Sequence, residues 1–131
     1  MIGLGIDGGG TKTEALLVEH TGRILGLGRA GPTNMFFVSR EEAWAAFGAA
    51  VDAARADVGP IQIGGMVVSA EVPDDLLADL AARYGIPAWR HIEEPEAALA
   101  AGQPFSDAEV RVVVCAGTGS MALGVGEGAR A

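Results

Sequence analysis

The chain has 131 residues, half of them hydrophobic, and carries 17 acidic against 9 basic side chains for a formal net charge of -8. That balance excludes a general affinity for nucleic acid, whose phosphates are met by Lys and Arg, and no apolar run approaches the roughly 18 residues of a membrane-spanning helix. A single cysteine, Cys115, rules out an internal disulfide, and with no basic-plus-apolar signal at the start the expectation is a cytoplasmic α/β protein with one real core.

In chain order, residues 2–7 predict an opening strand that ends on Asp7. Gly8, Gly9 and Gly10 follow, then Thr11, Lys12 and Thr13. Three consecutive glycines between apolar runs leave backbone amides free to wrap an anion, because glycine adopts positive φ and has no Cβ. Asp7 stands where a carboxylate could hold the water shell of a phosphate-bound Mg²⁺, and the hydroxyls of Thr11 and Thr13 and the ammonium of Lys12 add to the same grip. Better-known nucleotide motifs fail. Gly5 and Gly10 have Walker A spacing, but Thr11 stands where the lysine belongs; the GxGxxG matches that start at Gly3 and Gly26 lie inside a strand or lead into Pro32 rather than a helix.

Strands are expected over residues 13–19 and 24–30, so the glycines close a β-hairpin. Ser39-Arg40-Glu41-Glu42 is a capping box, and it opens a helix to residue 57 along which Trp44, Phe47, Val51, Ala54 and Val58 recur at helical spacing. Residues 61–69 read as a central strand. Residues 73–85 read as a helix buried through Leu76, Leu77, Leu80 and Ala81, residues 88–92 as a short strand, and the alanine-rich stretch from Pro95 to Gly102 as a third helix. Residues 103–109 read as a linker. From Val112 to Ala122 the pattern is again apolar strand, small polar turn (Gly117, Thr118, Gly119, Ser120), apolar strand. Cys115 within it reads as a core residue. His20 and His91 lack clustered partners and read as turn and surface residues, Trp44 and Trp89 as packing residues.

A phosphate-gripping hairpin closed by Asp-x-Gly-x-Thr resembles the superfamily of sugar kinases, actin and the heat-shock chaperone ATPases. Gly-Ile-Asp-Gly-Gly-Gly-Thr-Lys-Thr, Gly31-Pro32-Thr33-Asn34 and Ala-Gly-Thr-Gly-Ser together resemble the N-acetylglucosamine kinase branch of the BadF/BadG/BcrA/BcrD ATPase family, over essentially the whole chain. The resemblance implies an α/β, actin-like ATPase (ribonuclease H-like) lobe over residues 1–105, with a mixed five-stranded sheet and helices on both faces. The opening hairpin of a second lobe follows over 106–131. Because that second lobe supplies most of the adenosine pocket in the family, the chain reads either as part of a protein about twice as long or as one whose last hairpin is covered by another chain.

The implied chemistry is transfer of the ATP γ-phosphoryl group to a sugar hydroxyl, with ATP and Mg²⁺ as cofactors. Gly8, Gly9, Gly10, Thr11 and Lys12 on one loop, and Gly117, Thr118, Gly119 and Ser120 on the other, are then nucleotide contacts. Asp7 is the metal residue, and Asn34 and Thr118 face the sugar. The family's base is an Asp in an Asn-Asp-Ala-x-Ala-Ala-Leu segment; here the matching stretch is Glu93-Glu94-Pro95-Glu96-Ala97-Ala98-Leu99, which puts Glu94 at that position, at a helix N-terminus that favours its ionised form. The same glutamates also serve a helix dipole, Asn34 also fits a loop side chain bonding its own backbone, and Lys12 an exposed hairpin lysine. Two other readings stay open. One is an ATP-driven activator of a CoA-ester reductase or dehydratase, disfavoured by the single Cys115 and by Gly-Thr-Gly-Ser where activators carry Gly-Gly-Gln-Asp. The other is a non-catalytic nucleotide- or sugar-sensing module. The expected partners are a small sugar and, in the complete protein, a second copy of itself, with no nucleic acid and no membrane.

Overall fold

The computed structural model describes residues 1–102, 111–116, 120–126 and 129–130. Its contacts separate two compact units, Met1–His91 and Ile92–Ala131.

In the first unit, β1 (Ile2–Gly8), β2 (Thr13–Glu19), β3 (Ile24–Ala30), β4 (Gly65–Ala70) and β5 (Trp89–His91) form one mixed sheet in the order β3-β2-β1-β4-β5. β2 is antiparallel to both β1 and β3, while β1, β4 and β5 run parallel. Parallel neighbours need crossover connections, and α1 (Arg40–Arg55) and α2 (Asp74–Arg83) supply them. Strand alternation decides the core. Leu4 and Ile6, Ala15 and Leu17, Met66 and Val68 all point to one face, where they bury against Phe47 and Val51 of α1 and Leu76, Leu77 and Leu80 of α2. Both helices therefore cover the same face. The third expected helix, α3 (Glu94–Gly102), belongs to the second unit.

The capping box is present as read: Ser39 Oγ accepts from the Glu42 amide at 3.2 Å, and the Glu42 carboxylate accepts from the Ser39 amide at 2.7 Å. α1 ends at Arg55 rather than at residue 57, just ahead of Gly59, which turns the chain at φ 75. β3 presses directly on the helix backbone. A Cβ at Gly28 would land on the Ala50 carbonyl oxygen and 2.5 Å from the Ala54 amide. β4 begins at Gly65, four residues later than the strand expected from residue 61. Residues 61–64 instead lead into the strand, with Ile63 sunk in the core and the Gly64 amide donating to the Ile2 carbonyl at 2.8 Å. At the end of α2, the Tyr84 hydroxyl donates to Asp52 of α1 at 2.7 Å; burial and that carboxylate push the phenol up to about 12.

In the second unit, β6 (Arg111–Ala116), β7 (Ser120–Gly126) and β8 (Ala129–Arg130) form an antiparallel sheet in that order, with α3 packed on β6 and β7. The two residues of β8 are too few to leave a periodic signal in the sequence. Cys115 is half-buried in β6 rather than in a closed core. The expected linker and the boundary at 105/106 lie outside the described residues. No described helix is long and apolar enough to cross a membrane.

Candidate functional site

Ligands of open α/β sheets bind beyond the carboxyl ends of the parallel strands. In the first unit those ends are Gly8, Ala70 and His91, and the glycine loop lies there too. The loop is a tight hairpin closed by the Gly9 amide donating to the Lys12 carbonyl at 2.9 Å. The amides of Gly10 and Thr11 have no hydrogen-bond partner among the described residues, so this turn offers two donors to an anion. None of the three glycines has positive φ. Gly8 is required for a different reason from the one the sequence suggests: a Cβ there would overlap the Thr33 hydroxyl and stand 2.8 Å from the Ala70 methyl.

Thr33 is the keystone of this end. It is fully buried, accepts from the equally buried Thr13 hydroxyl at 3.1 Å, and donates its amide to the Gly9 carbonyl at 3.1 Å. Thr13 is thereby committed to structure and is not a phosphate hydroxyl. The amide of Asn34 also donates to Gly9, at 3.2 Å, and that of Met35 donates to the Glu71 carbonyl at 3.1 Å. The loop after β3 is therefore pinned to the glycine loop on one side and to the β4–α2 connection on the other. Asn34 sits between them. Its side-chain oxygen caps the Phe36 amide at 2.9 Å, as the local reading allows, and leaves the amide nitrogen without a partner among the described residues.

Asp7 is exposed at the end of β1, in register with Glu14 on one side and Ser69 on the other. Its carboxylate makes no ion pair or hydrogen bond among the described residues. Glu14 is neutralised instead. Its Oε1 takes the Arg29 guanidinium at 2.7 Å and the Lys12 ammonium at 3.1 Å, and these hydrogen bonds hold its carboxyl below the usual carboxylate range. Lys12, expected on phosphate, thus lies along the strand toward Glu14. A free carboxylate beside unpaired amides and a serine fits Mg²⁺, which takes one or two protein carboxylates and keeps waters for the rest.

His91, read from sequence as a surface residue, is half-buried at the end of β5, with Nδ1 2.7 Å from Asp74 and Nε2 2.8 Å from the Ala70 carbonyl. Both partners are acceptors, so only the imidazolium satisfies both. Burial pulls its pKa down, but the bonds to Asp74 and Ala70 and the nearby Glu71 carboxylate outweigh this and leave it above the ordinary histidine value.

Glu94 opens α3 in the second unit and is exposed, with the Glu93 carbonyl accepting from the Ala97 amide at 3.1 Å one turn on. Of the stretch expected to form a second phosphate loop, Ser120 begins β7, paired with Ala116 of β6. Gly117, Thr118 and Gly119 lie outside the described residues. Two features of the site escaped the sequence reading. The burial of Thr33 is a tertiary fact with no local signature. The pair Phe36 and Phe37, 81% and 66% exposed, did leave a signal: an apolar run inside a Gly- and Pro-rich loop, immediately after the candidate sugar residue.

Solved structures similar to this chain include one glucokinase and two putative amino-sugar kinases. A ROK family glucokinase from Streptomyces griseus, in complex with glucose and AMPPNP, matches with a TM-score of 0.74 at 21% identity, over 100% of this chain and 46% of that one. A putative N-acetylglucosamine kinase from Chromobacterium violaceum matches at 0.70 and 18%, over 94% and 44%. A putative N-acetylmannosamine kinase from Listeria monocytogenes matches at 0.69 and 18%, over 100% and 49%. The chain spans less than half the length of these kinases, and at such identities the likeness is one of fold. No curated protein matches it by sequence. The family pattern, by contrast, matches residues 4–131, and with the mixed sheet and the glycine hairpin it assigns the chain: it belongs to the BadF/BadG/BcrA/BcrD ATPase family and has the actin-like fold of the sugar kinases.

Proposed function

We propose that this chain carries the phosphate-gripping lobe of an ATP-dependent kinase that phosphorylates an amino sugar of the N-acetylglucosamine kind. The observation that carries the reading is the coincidence of unpaired amides at Gly10 and Thr11 with the unpaired Asp7 carboxylate at the carboxyl end of β1. The family and the kinase fold support it. Phosphoryl transfer is mainly positioning and charge neutralisation. The loop amides orient nucleotide oxygens. A Mg²⁺ held by Asp7 would supply Lewis-acid neutralisation of the transferring group. The free amide nitrogen of Asn34 donates to the sugar, and residues 117–120 supply the second phosphate loop. Glu94 accepts the proton of the attacking hydroxyl.

Glu94 reaches one methylene further than the aspartate usual at that position, and a misplacement of roughly an ångström costs about 10²-fold in rate unless the backbone compensates. The reaction belongs to the cytoplasm, where MgATP is the phosphoryl donor, and a homodimer is the proposed assembly. The test is a phosphorylation assay on the protein with both lobes, using MgATP and a panel of hexoses and N-acetylhexosamines. The expected result is phosphate on an amino sugar, with Glu94→Gln lowering kcat by roughly 10² to 10⁴ at unchanged sugar KM and Glu94→Asp retaining activity. No phosphorylated sugar, or normal kcat in the Gln variant, contradicts the reading or the assignment of the base, respectively.

A further inference from the structure

The loop after β3 divides its side chains sharply. Met35 and Val38 turn inward and pack on the core, whereas Phe36 and Phe37 stand in solvent on a segment fixed by five backbone-donated hydrogen bonds, from Thr33, Asn34, Met35, Phe37 and Val38. A phenylalanine this exposed contributes nothing to the core, and the loop is held without it. Phe36 is also coupled to the sugar residue: its amide is the group that the Asn34 side-chain oxygen caps, so ring and carboxamide are held by the same turn.

We propose that Phe36 is the specificity-determining residue of the sugar site and that it selects an N-acylated amino sugar over the unsubstituted hexose. This rests on the kinase reading above. An acetamido group matches both halves of the pairing: its carbonyl accepts from the free Asn34 amide nitrogen, and its methyl is shielded from water by the Phe36 ring. A hexose hydroxyl at that position offers the ring only a polar group to desolvate. Discrimination by one apolar carbon in such a pocket is roughly 10- to 200-fold.

The experiment measures kcat/KM for N-acetylglucosamine and for glucose with the two-lobed protein and with Phe36→Ala and Phe36→Leu. Because the side chain is exposed, both variants are expected to fold with unchanged melting temperature. The expected result is a fall of roughly tenfold in the preference for the N-acetyl sugar in Phe36→Ala, with partial retention in Phe36→Leu. An unchanged ratio overturns the inference and leaves the kinase reading standing; an unchanged ratio with a shift in oligomeric state assigns the ring to a protein interface and overturns it too. If the protein phosphorylates no sugar, the kinase reading fails separately, and the inference is decided by a titration with the two sugars followed through the Phe36 ring protons. A shift with N-acetylglucosamine and none with glucose supports it, and no shift with either overturns it.

Discussion

Asp7 and Glu14 face each other across β1 and β2, two carboxylates in register, yet Arg29 and Lys12 both serve Glu14 and leave Asp7 uncompensated. On the proposed kinase reading, that uncompensated carboxylate would hold a cation that arrives with the phosphates. Asp7→Asn is expected to lower kcat by roughly 10²-fold or more with a small change in sugar KM, since charge neutralisation matters most as the phosphoryl group moves; steady-state kinetics with normal kcat would remove Asp7 from the mechanism. His91 gives the site end a pH dependence. Because the folded state binds its proton more tightly than the unfolded chain, its clasp on Asp74 and Ala70 stabilises fully below the ordinary histidine value of 6.5 and is lost as pH rises through the raised folded value. Denaturation midpoints are therefore expected to fall as pH rises through that range, and His91→Gln is expected to flatten the dependence; an equally steep profile in the variant would assign it to other groups. At this scale the residue types were legible and their partners were not. Asp7 and the glycines announced themselves by chemistry and spacing, but that Gly8 yields to Thr33 and that Thr13 is buried against it depend on a residue twenty or more positions away, whereas Lys12 turns to Glu14 only two residues on.

Among the elements, α1 shows what local sequence does and does not encode. Its N-terminus is written in Ser39 and Glu42, both used as read, because a capping box closes within four residues. Ser39→Ala is expected to cost about 1 kcal/mol in chemical denaturation. Its seat on β3 is written nowhere locally: Gly26 and Gly28 resemble a dinucleotide fingerprint in sequence, whereas in the fold they let the strand lie against the carbonyls of Ala54 and Ala50. Gly28→Ala is expected to destabilise the first unit by about 1 to 3 kcal/mol through overpacking, while sparing the glycine loop. A neutral Gly28→Ala in the same denaturation series would contradict that packing. The late start of β4 has the same origin, since residues 61–64 are as apolar as a strand but are held by Ile2 of β1 and by the core under Ile63.

At the level of the whole molecule, the topology β3-β2-β1-β4-β5 brings three connections to the carboxyl ends of the parallel strands, and there the candidate phosphate, metal and sugar groups of the first unit meet. The sheet order follows from the β-β-β-α-β-α-β succession readable in the sequence, so this much of the fold was legible. The grouping of α3 with β6 and β7 was not, because an alanine-rich helix carries no stripe to say which face it buries. Since the chain spans less than half of the kinases it is similar to, the 131-residue chain alone is expected not to reach the roughly 1 to 10³ turnovers per second of ordinary enzymes. The β1–β2 loop, however, lies wholly within the first unit. The central claim is that the β1–β2 loop receives the phosphates of a nucleotide, and titrating the isotopically labelled chain with MgATP while following its backbone amides by NMR tests it most directly. The account predicts saturable shifts centred on Gly10 and Thr11 that are weakened in Asp7→Asn; an unmoved loop with MgATP in excess would contradict it.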